Sequence, residues 1–510
     1  MSTDAPVAAV VVLAAGGGTR MKSSRSKLLH EVAGKSMLSF AVSAAAALDP
    51  DHLVVVVGHL RDQVEAHLEK LSAAVSTAVQ SDQLGTGHAV ACGLEGLDDL
   101  EGEVVVTYAD VPMLTGETLR DLVATHRANL NAITILTAAV DDPSGYGRIV
   151  RDGDNVTGIV EHKDATEEQL AISEINSGIY VFEASTLREG LASLTTDNAQ
   201  GEQYLTDVVH FAAQRSQRVG AHSIDDVWQT EGVNDRVQLA RMNAEMNRRI
   251  RDSWMLAGVT MVDPTSVWID VDVDLAEDVT LLPGVTLQGA TTIGAGATIG
   301  PDTTLMDVEV GEGAEVIRTH GSFAVIGEHA SVGPFAYLRP GTILGREGKI
   351  GTFVETKNAQ IADGAKVPHL AYCGDAIVDE GANIGAGTIF ANYDGIHKST
   401  SHVGKNAFVG SNSVLVAPVD IGAGALVAAG SAITEDVPAG ALGWRAVASA
   451  TLRDGSMNVV QDPSGPRQRP TRTGRPTQQC SSPERRRPDL DDPDRQERQA
   501  PDVVQRACVP

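Results

Sequence analysis

The sequence predicts a doubly wound α/β domain joined by a helix to a parallel β-helix. Three observations carry this. Before residue 235, β-branched runs alternate with helical stretches; residues 236–258 form an amphipathic stretch; and over 259–440 aliphatics recur every six residues. A chain of 510 residues is long enough for two or more domains. Aromatics make up only 4% while glycines number 51, a balance that suits a repeat built on tight turns.

The first element is "VVVLAAGGGTRMKSSRSK", from Val10 to Lys27. A continuous β-branched run ending in glycines reads as a buried parallel strand entering a turn. Glycines admit a ligand to the main chain, whose N–H groups cradle phosphate. Arg20 and Lys27 add positive charge. The stretch is neither a P-loop nor a G-x-G-x-x-G fingerprint, since position 21 is Met. "HLVVVVGH" (52–59) and "EVVVTYAD" (103–110) are further strands, and "RDQVEAHLEKL" and "GETLRDLVATHRANL" have helical periodicity. This order predicts a doubly wound parallel sheet over 1–235, of Rossmann-like type.

Over 236–258, Leu239, Met242, Met246 and Ile250 stand near helical spacing and predict a connecting helix. The six-residue period follows. Leu281, Leu287, Ile293, Ile299 and Leu305 obey it; so do Ile326, Val332, Leu338, Leu344 and Ile350, and Val403, Val409, Leu415, Ile421, Val427 and Ile433. No α-helix keeps that period on one face. Three short strands per coil do, each with one aliphatic inward. The break at 391–402, "NYDGIHKSTSHV", reads as a loop leaving the coil.

The net charge of −27 argues against nucleic acid as a partner. Cys92, Cys373, Cys480 and Cys508 are scattered without metal-ligand spacing, as expected in a reducing cytoplasm. The N-terminus lacks a basic n-region and no apolar run reaches about 18 residues, so no membrane insertion is expected.

Several motifs resemble those of the bifunctional bacterial N-acetylglucosamine-1-phosphate uridyltransferase / glucosamine-1-phosphate N-acetyltransferase family, over about residues 6–440. "LAAGGGTRM" with Lys27 resembles its UTP loop, although Ser26 stands where the family usually has Pro. "QSDQLGTGHA" resembles the uracil-reading segment, and "YADVP" the metal segment, with Ala109 in place of Gly. "SGYGRIV", "GIVEHKDA", "EINSGIY" and "EGVNDRVQL" match sugar and metal contacts. In the second half, "YLRPGT", "FVETKNAQI", "VPHLAYCGDA", "GANIGAGTIFANYDG", "HKST" and "VGSNS" match acetyltransferase signatures.

The resemblance implies left-handed coiling, a homotrimer through the β-helix, and a place in making UDP-N-acetylglucosamine for peptidoglycan. It implies Leu13, Ala14, Gly16, Lys27, Gln80, Gly85, Thr86, Gly147, Glu161, Asn176 and Asn234 as contacts for UTP and the UDP-sugar. Asp110 and Asn234 would bind Mg²⁺, which favours hard oxygen ligands. Lys27 and Arg20 would stabilise charge on leaving pyrophosphate. His369 would be the general base of acetyl transfer, chemistry that suits an imidazole. Arg339, Lys357, Tyr372 and Asn383 would bind the glucosamine phosphate. Ala386, Asn392, Tyr393, Lys398, Ser411 and Ala429 would bind acetyl-CoA. Two alternatives are a one-reaction sugar-nucleotide pyrophosphorylase with a regulatory β-helix, and a non-catalytic β-helix scaffold. The first would lack "VPHLAYCGDA"; the second would not need Asp110, Lys27 and His369 together.

Residues 441–510 hold nine of the 21 prolines, many arginines and no lysine, without apolar periodicity. A disordered tail is expected. The resemblance stops near Leu442, and Arg445 is one place off the family's CoA-contacting arginine. Codons for "ATLRDGSMN" read two nucleotides later can give Asn-Ile-Ala-Gly-Trp-Val-Asn-Glu, close to a family segment. A frameshift near residue 443 is therefore a hypothesis. A gene sequence whose codons forbid the second reading would exclude it.

Overall fold

In a computed structural model, residues 6–97, 99–198 and 201–443 are described. The tail expected over 441–510, including the shifted segment, lies outside them from residue 444 onward.

Seven strands form the main N-terminal sheet, in the order Val219–Ile224, Ile133–Ala139, Glu174–Glu183, Glu103–Tyr108, Ala9–Ala14, His52–Val57, Ser76–Val79. Ala9–Ala14 is buried along its whole length and pairs in parallel with His52–Val57 on one side and Glu103–Tyr108 on the other. Burial on both faces explains why these strands read as unbroken apolar runs. Helices Arg61–Leu68 and Gly116–Asn129 lie where their periodicity put them.

The expected all-parallel sheet needs one correction. Glu174–Glu183 runs antiparallel to both of its neighbours. The chain reaches it after the hairpin of Arg148–Asp152 and Asn155–Val160. It therefore enters the sheet from the other end, with no right-handed crossover. The hairpin joins the same sheet through Arg148 opposite Ile175, and Gly147 and Glu161 flank its two strands.

Helix Arg236–Leu256 starts at Asp235, whose side chain accepts from the N–H groups of Val237 and Gln238. Its apolar stripe serves two cores. Leu239, Met242 and Met246 pack with Val32, Met37, Met113 and Val233 of the first domain. Ile250, Trp254 and Met255 pack on the β-helix core.

From Thr260 the chain forms a left-handed parallel β-helix. Every aliphatic named above for the six-residue period is buried in one continuous core. Coils stack in register: Leu281 on Ile299, Leu287 on Leu305, Val332 on Ile350. The period slips between Leu305 and Ile326 because three sides there have five residues. Leu305 stacks on Gly321, and Val310 on Ile326. Gly321 takes an inward place, with Leu305 and Leu338 filling the space a side chain would occupy. The predicted excursion is present: the N–H of Ser399 donates to the carbonyl of Asn392, and Tyr393 bridges to Lys398. No helix among the described residues is long and apolar enough to cross a membrane.

Candidate active sites

The first site lies at the carboxyl ends of Ala9–Ala14 and Glu103–Tyr108, where open α/β sheets bind ligands. A cavity of about 290 Å³ is lined by Leu13, Ala14, Gly16, Lys27, Gln80, Gly85, Thr86 and Asp110, all expected from the sequence. Gly16 faces open space, with nothing within 4 Å of where a Cβ would stand. A ligand can therefore reach the main chain there. Gly18 has φ +55°, and a Cβ on it would fall 2.7 Å from Cβ of Lys27. That glycine lets the loop close against the lysine stem.

The Lys27 ammonium donates to Oδ2 of Asp110 at 2.5 Å and to Oδ1 of Asn234 at 3.1 Å. Three segments far apart in sequence thus meet at one point. The N–H of Val233 donates to the carbonyl of Asp110 at 2.9 Å, fastening the Asn234 loop to the segment that carries Asp110. Two oxygen donors converge where one cation already sits. Among the described residues no group of three or more His, Cys, Asp or Glu could hold a metal. Mg²⁺ commonly takes one or two protein oxygens and completes its shell with phosphates and water, so the donor set fits it.

Gln80 is buried and spends its amide N–H₂ internally, donating to the carbonyl of Gly85 at 3.0 Å and lying 3.1 Å from Nδ1 of His88. Gly85 has φ +115°, and a Cβ there would meet the carbonyl oxygen of Gln203 at 2.5 Å. The hydroxyl of Thr86 accepts from the N–H of Leu205 at 3.0 Å.

Gly147, Glu161 and Asn176 form a second group on the hairpin side. A Cβ on Gly147 would lie 3.6 Å from both Oε1 of Glu161 and Cβ of Asn176. Burial, with Asp164 and Asp207 nearby, raises the pKa of Glu161. Arg20 is exposed and does not line the cavity, because the short turn Thr19–Met21 buries Met21 and turns Arg20 to solvent. The sequence reading missed Tyr108, Gln83 and Glu202 in the lining. Tyr108 ends the strand two residues before Asp110. Burial raises its pKa well above the usual value, and the charges of Asp110 and Glu161 add to the rise.

The second site wraps corners of the β-helix. His369 ends the strand Lys366–His369 and is exposed. The chain turns at Leu370, φ +51°, and Tyr372 opens the next side. On that side Tyr337, Glu355 and Tyr372 stack in register, and Lys357 stacks on Gly374. Arg339 pairs with Glu355 at 2.9 Å. Asn392, expected at acetyl-CoA, is buried instead between Tyr372 and Asp375, its amide donating to both. Tyr393 and Lys398 stand exposed on the excursion. Asn383 stacks on Lys366 and Phe408, on the His369 side of the coil.

Ala386, Ser411 and Ala429 fall into one column with His369. The N–H of Gly387 donates to the carbonyl of His369, that of Asn412 to Ala386, and that of Gly430 to Ser411. These expected residues therefore occupy the same corner of successive coils. Cys373 is sealed in the core, where burial pushes its thiol up to about 12.

A family model described as a MobA-like NTP transferase domain matches residues 10–205, and one described as a hexapeptide repeat of succinyl-transferase matches 402–435. The chain is 64% identical over 391 residues to the bifunctional protein GlmU of Cutibacterium acnes, covering 76% of this chain and 94% of that one. It is 56% identical over 439 residues to that of Pseudarthrobacter chlorophenolicus, covering 85% and 89%. It is 51% identical over 438 residues to that of Streptomyces avermitilis, covering 85% and 91%. The chain belongs to the bifunctional GlmU family.

As a GlmU-family protein it is a bifunctional transferase. It acetylates glucosamine-1-phosphate and transfers UMP from UTP to N-acetylglucosamine-1-phosphate, giving UDP-N-acetylglucosamine and pyrophosphate for peptidoglycan synthesis. The pyrophosphorylase-only and scaffold alternatives are set aside by this membership.

Proposed function

We propose that the two transfers are divided between the two halves, with uridylyl transfer over 1–235 and acetyl transfer over 259–440. The observation that carries the first assignment is the convergence of Lys27, Asp110 and Asn234. Asp110 and Asn234 would hold Mg²⁺, which when bound screens the triphosphate and polarises its α-phosphorus. Lys27 brings positive charge to the same point, to stabilise the leaving pyrophosphate. Arg20 reaches the phosphates only by turning inward from solvent. The open main chain at Gly16 receives the nucleotide, Gln80, Gly85 and Thr86 receive the base, and Gly147, Glu161 and Asn176 receive the sugar. No covalent intermediate is required; the chain positions and neutralises.

In the second half His369 takes the proton of the sugar amine as its nitrogen attacks the thioester carbon. The C–N bond forms, the C–S bond breaks, and the proton passes to the departing CoA thiolate. Arg339 and Lys357 grip the sugar phosphate, with Tyr372 and Asn383 around the ring. Tyr393, Lys398 and the Ala386–Ser411–Ala429 column receive acetyl-CoA, with Asn392 at the base of the excursion that carries Tyr393 and Lys398.

A homotrimer fits a second feature. Phe335, Phe353 and Leu370 stand exposed along one corner beside His369, the two rings stacked 5.4 Å apart. Such an apolar ladder suits a second copy of the chain. Cytoplasmic location is part of the same reading.

The test is metal removal. Chelation with EDTA should abolish uridylyl transfer and leave acetyl transfer intact. Loss of acetyl transfer in a trimer that stays assembled would overturn the assignment.

A further inference from the structure

Asp375 stands near the end of "VPHLAYCGDA" but was given no role of its own above, yet it is the hub of the second site. It sits at a left-handed corner, φ +47°. Its Oδ1 accepts from Nδ2 of Asn358 at 2.9 Å, and its Oδ2 accepts from Nδ2 of Asn392. The Lys357 ammonium lies 3.9 Å from Oδ2, and the carboxylate is largely covered. Burial alone would raise its pKa. The hydrogen bonds from Asn358 and Asn392, with the charges of Lys357 and Lys398, outweigh that and hold the carboxyl below the usual carboxylate range. Asn392 forms the neck of the excursion: its carbonyl accepts from the N–H of Ser399, and the loop between them carries Tyr393 and Lys398.

A carboxylate beside a phosphate clamp is at first sight misplaced, because it repels the ligand. Its value lies in geometry. We propose that Asp375 is a positioning residue for acetyl transfer, seating the Asn392–Ser399 loop and aiming Lys357, so that the acetyl-CoA and sugar-phosphate subsites keep one fixed spacing. The inference rests on the assignment of acetyl transfer to this face.

Two roles predict opposite signs for Asp375→Asn. This variant is nearly isosteric and tolerates the left-handed corner, so the coil is retained. Were the carboxylate only a counter-charge, its loss would strengthen phosphate binding and lower KM for glucosamine-1-phosphate. As a positioning residue its loss should raise that KM about tenfold, the scale of a lost hydrogen bond to a charged group, and raise KM for acetyl-CoA as the loop loosens. Asn392→Ala should add little on top, because both act through one contact. Steady-state kinetics with both substrates varied, alongside a thermal melt, read this out. An unchanged or lowered KM for glucosamine-1-phosphate in a folded Asp375→Asn protein would overturn the proposal while leaving the assignment standing. Full acetyl transfer by His369→Ala would instead strike the assignment.

Discussion

The two sites are built in opposite ways. The first gathers Lys27, Asp110 and Asn234 from segments up to 207 residues apart, and loops at strand ends bring them to one point. The second is assembled by stacking. Its residues lie on neighbouring coils, and a strict register carries Glu355 onto Tyr372 and Lys357 onto Gly374. A convergent site depends on a few exact loop closures. A stacked site depends on every coil beneath it having the right number of residues. The first should therefore be sensitive to single loop substitutions, the second to changes in register and corner geometry.

Ways to break this comparison follow from the largest effect down. Asp110→Ala removes one of two oxygen donors and leaves the Lys27 charge without its partner. Uridylyl transfer should fall by about 10³-fold or more, followed as pyrophosphate release, while CoA release from acetyl-CoA continues. His369→Ala should cost acetyl transfer about 10²- to 10⁴-fold, and uridylyl transfer to N-acetylglucosamine-1-phosphate should persist. Gly18→Ala sharpens the contrast, since its Cβ would overlap Lys27 and the backbone is left-handed there. We expect about a tenfold loss of uridylyl transfer, on the scale of a misplaced charged contact, with acetyl transfer unaffected.

For the stacked half, Leu415→Ala in the sealed core should destabilise by about 2–5 kcal/mol, by the usual cost of a buried cavity, read by denaturant unfolding. The smallest effect concerns His402, which lies between Asp379 at 2.9 Å and Asp420 at 3.2 Å on adjoining coils. Burial lowers its pKa, but the Asp379 carboxylate, and then Asp420, outweigh this and the net shift is upward. The stability it adds is therefore complete below about pH 6.5, its unfolded value. That stability disappears as pH rises through the folded value. The melting temperature of His402→Gln should trail the wild type more at pH 5.5 than at pH 8.5. The ring is more than a third exposed, so the difference should be small.

Much of the fold was legible because its period is rigid. Each aliphatic of the hexad series, from Leu281 to Ile433, lies in the core. The slip between Leu305 and Ile326 was not legible, since five-residue sides and the inward Gly321 remove the marker that period-reading relies on. Nor was the direction of Glu174–Glu183, because an apolar run reads the same parallel or antiparallel. In the first site, glycines and the strand-end Asp110 carried a chemical signature. Tyr108 stood inside a quoted motif and could have been read as a wall of the cleft. Gln83 likewise stood inside the quoted "QSDQLGTGHA", whereas Glu202 carried no such signal, because it reaches the cavity through tertiary approach. Asp375 was hidden for a related reason. Its partners Asn358 and Asn392 are each 17 residues away, one coil below or across the excursion, and only stacking brings them together.

The central claim is that two independent sites share one chain, and mixing tests it most directly. Folded Asp110→Ala and His369→Ala proteins, each purified alone, are combined with glucosamine-1-phosphate, acetyl-CoA, UTP and Mg²⁺, and UDP-N-acetylglucosamine is measured. Neither variant alone should make it. The mixture should, because the acetylated sugar phosphate released by the first is uridylylated by the second. A mixture as silent as its components would contradict independent sites.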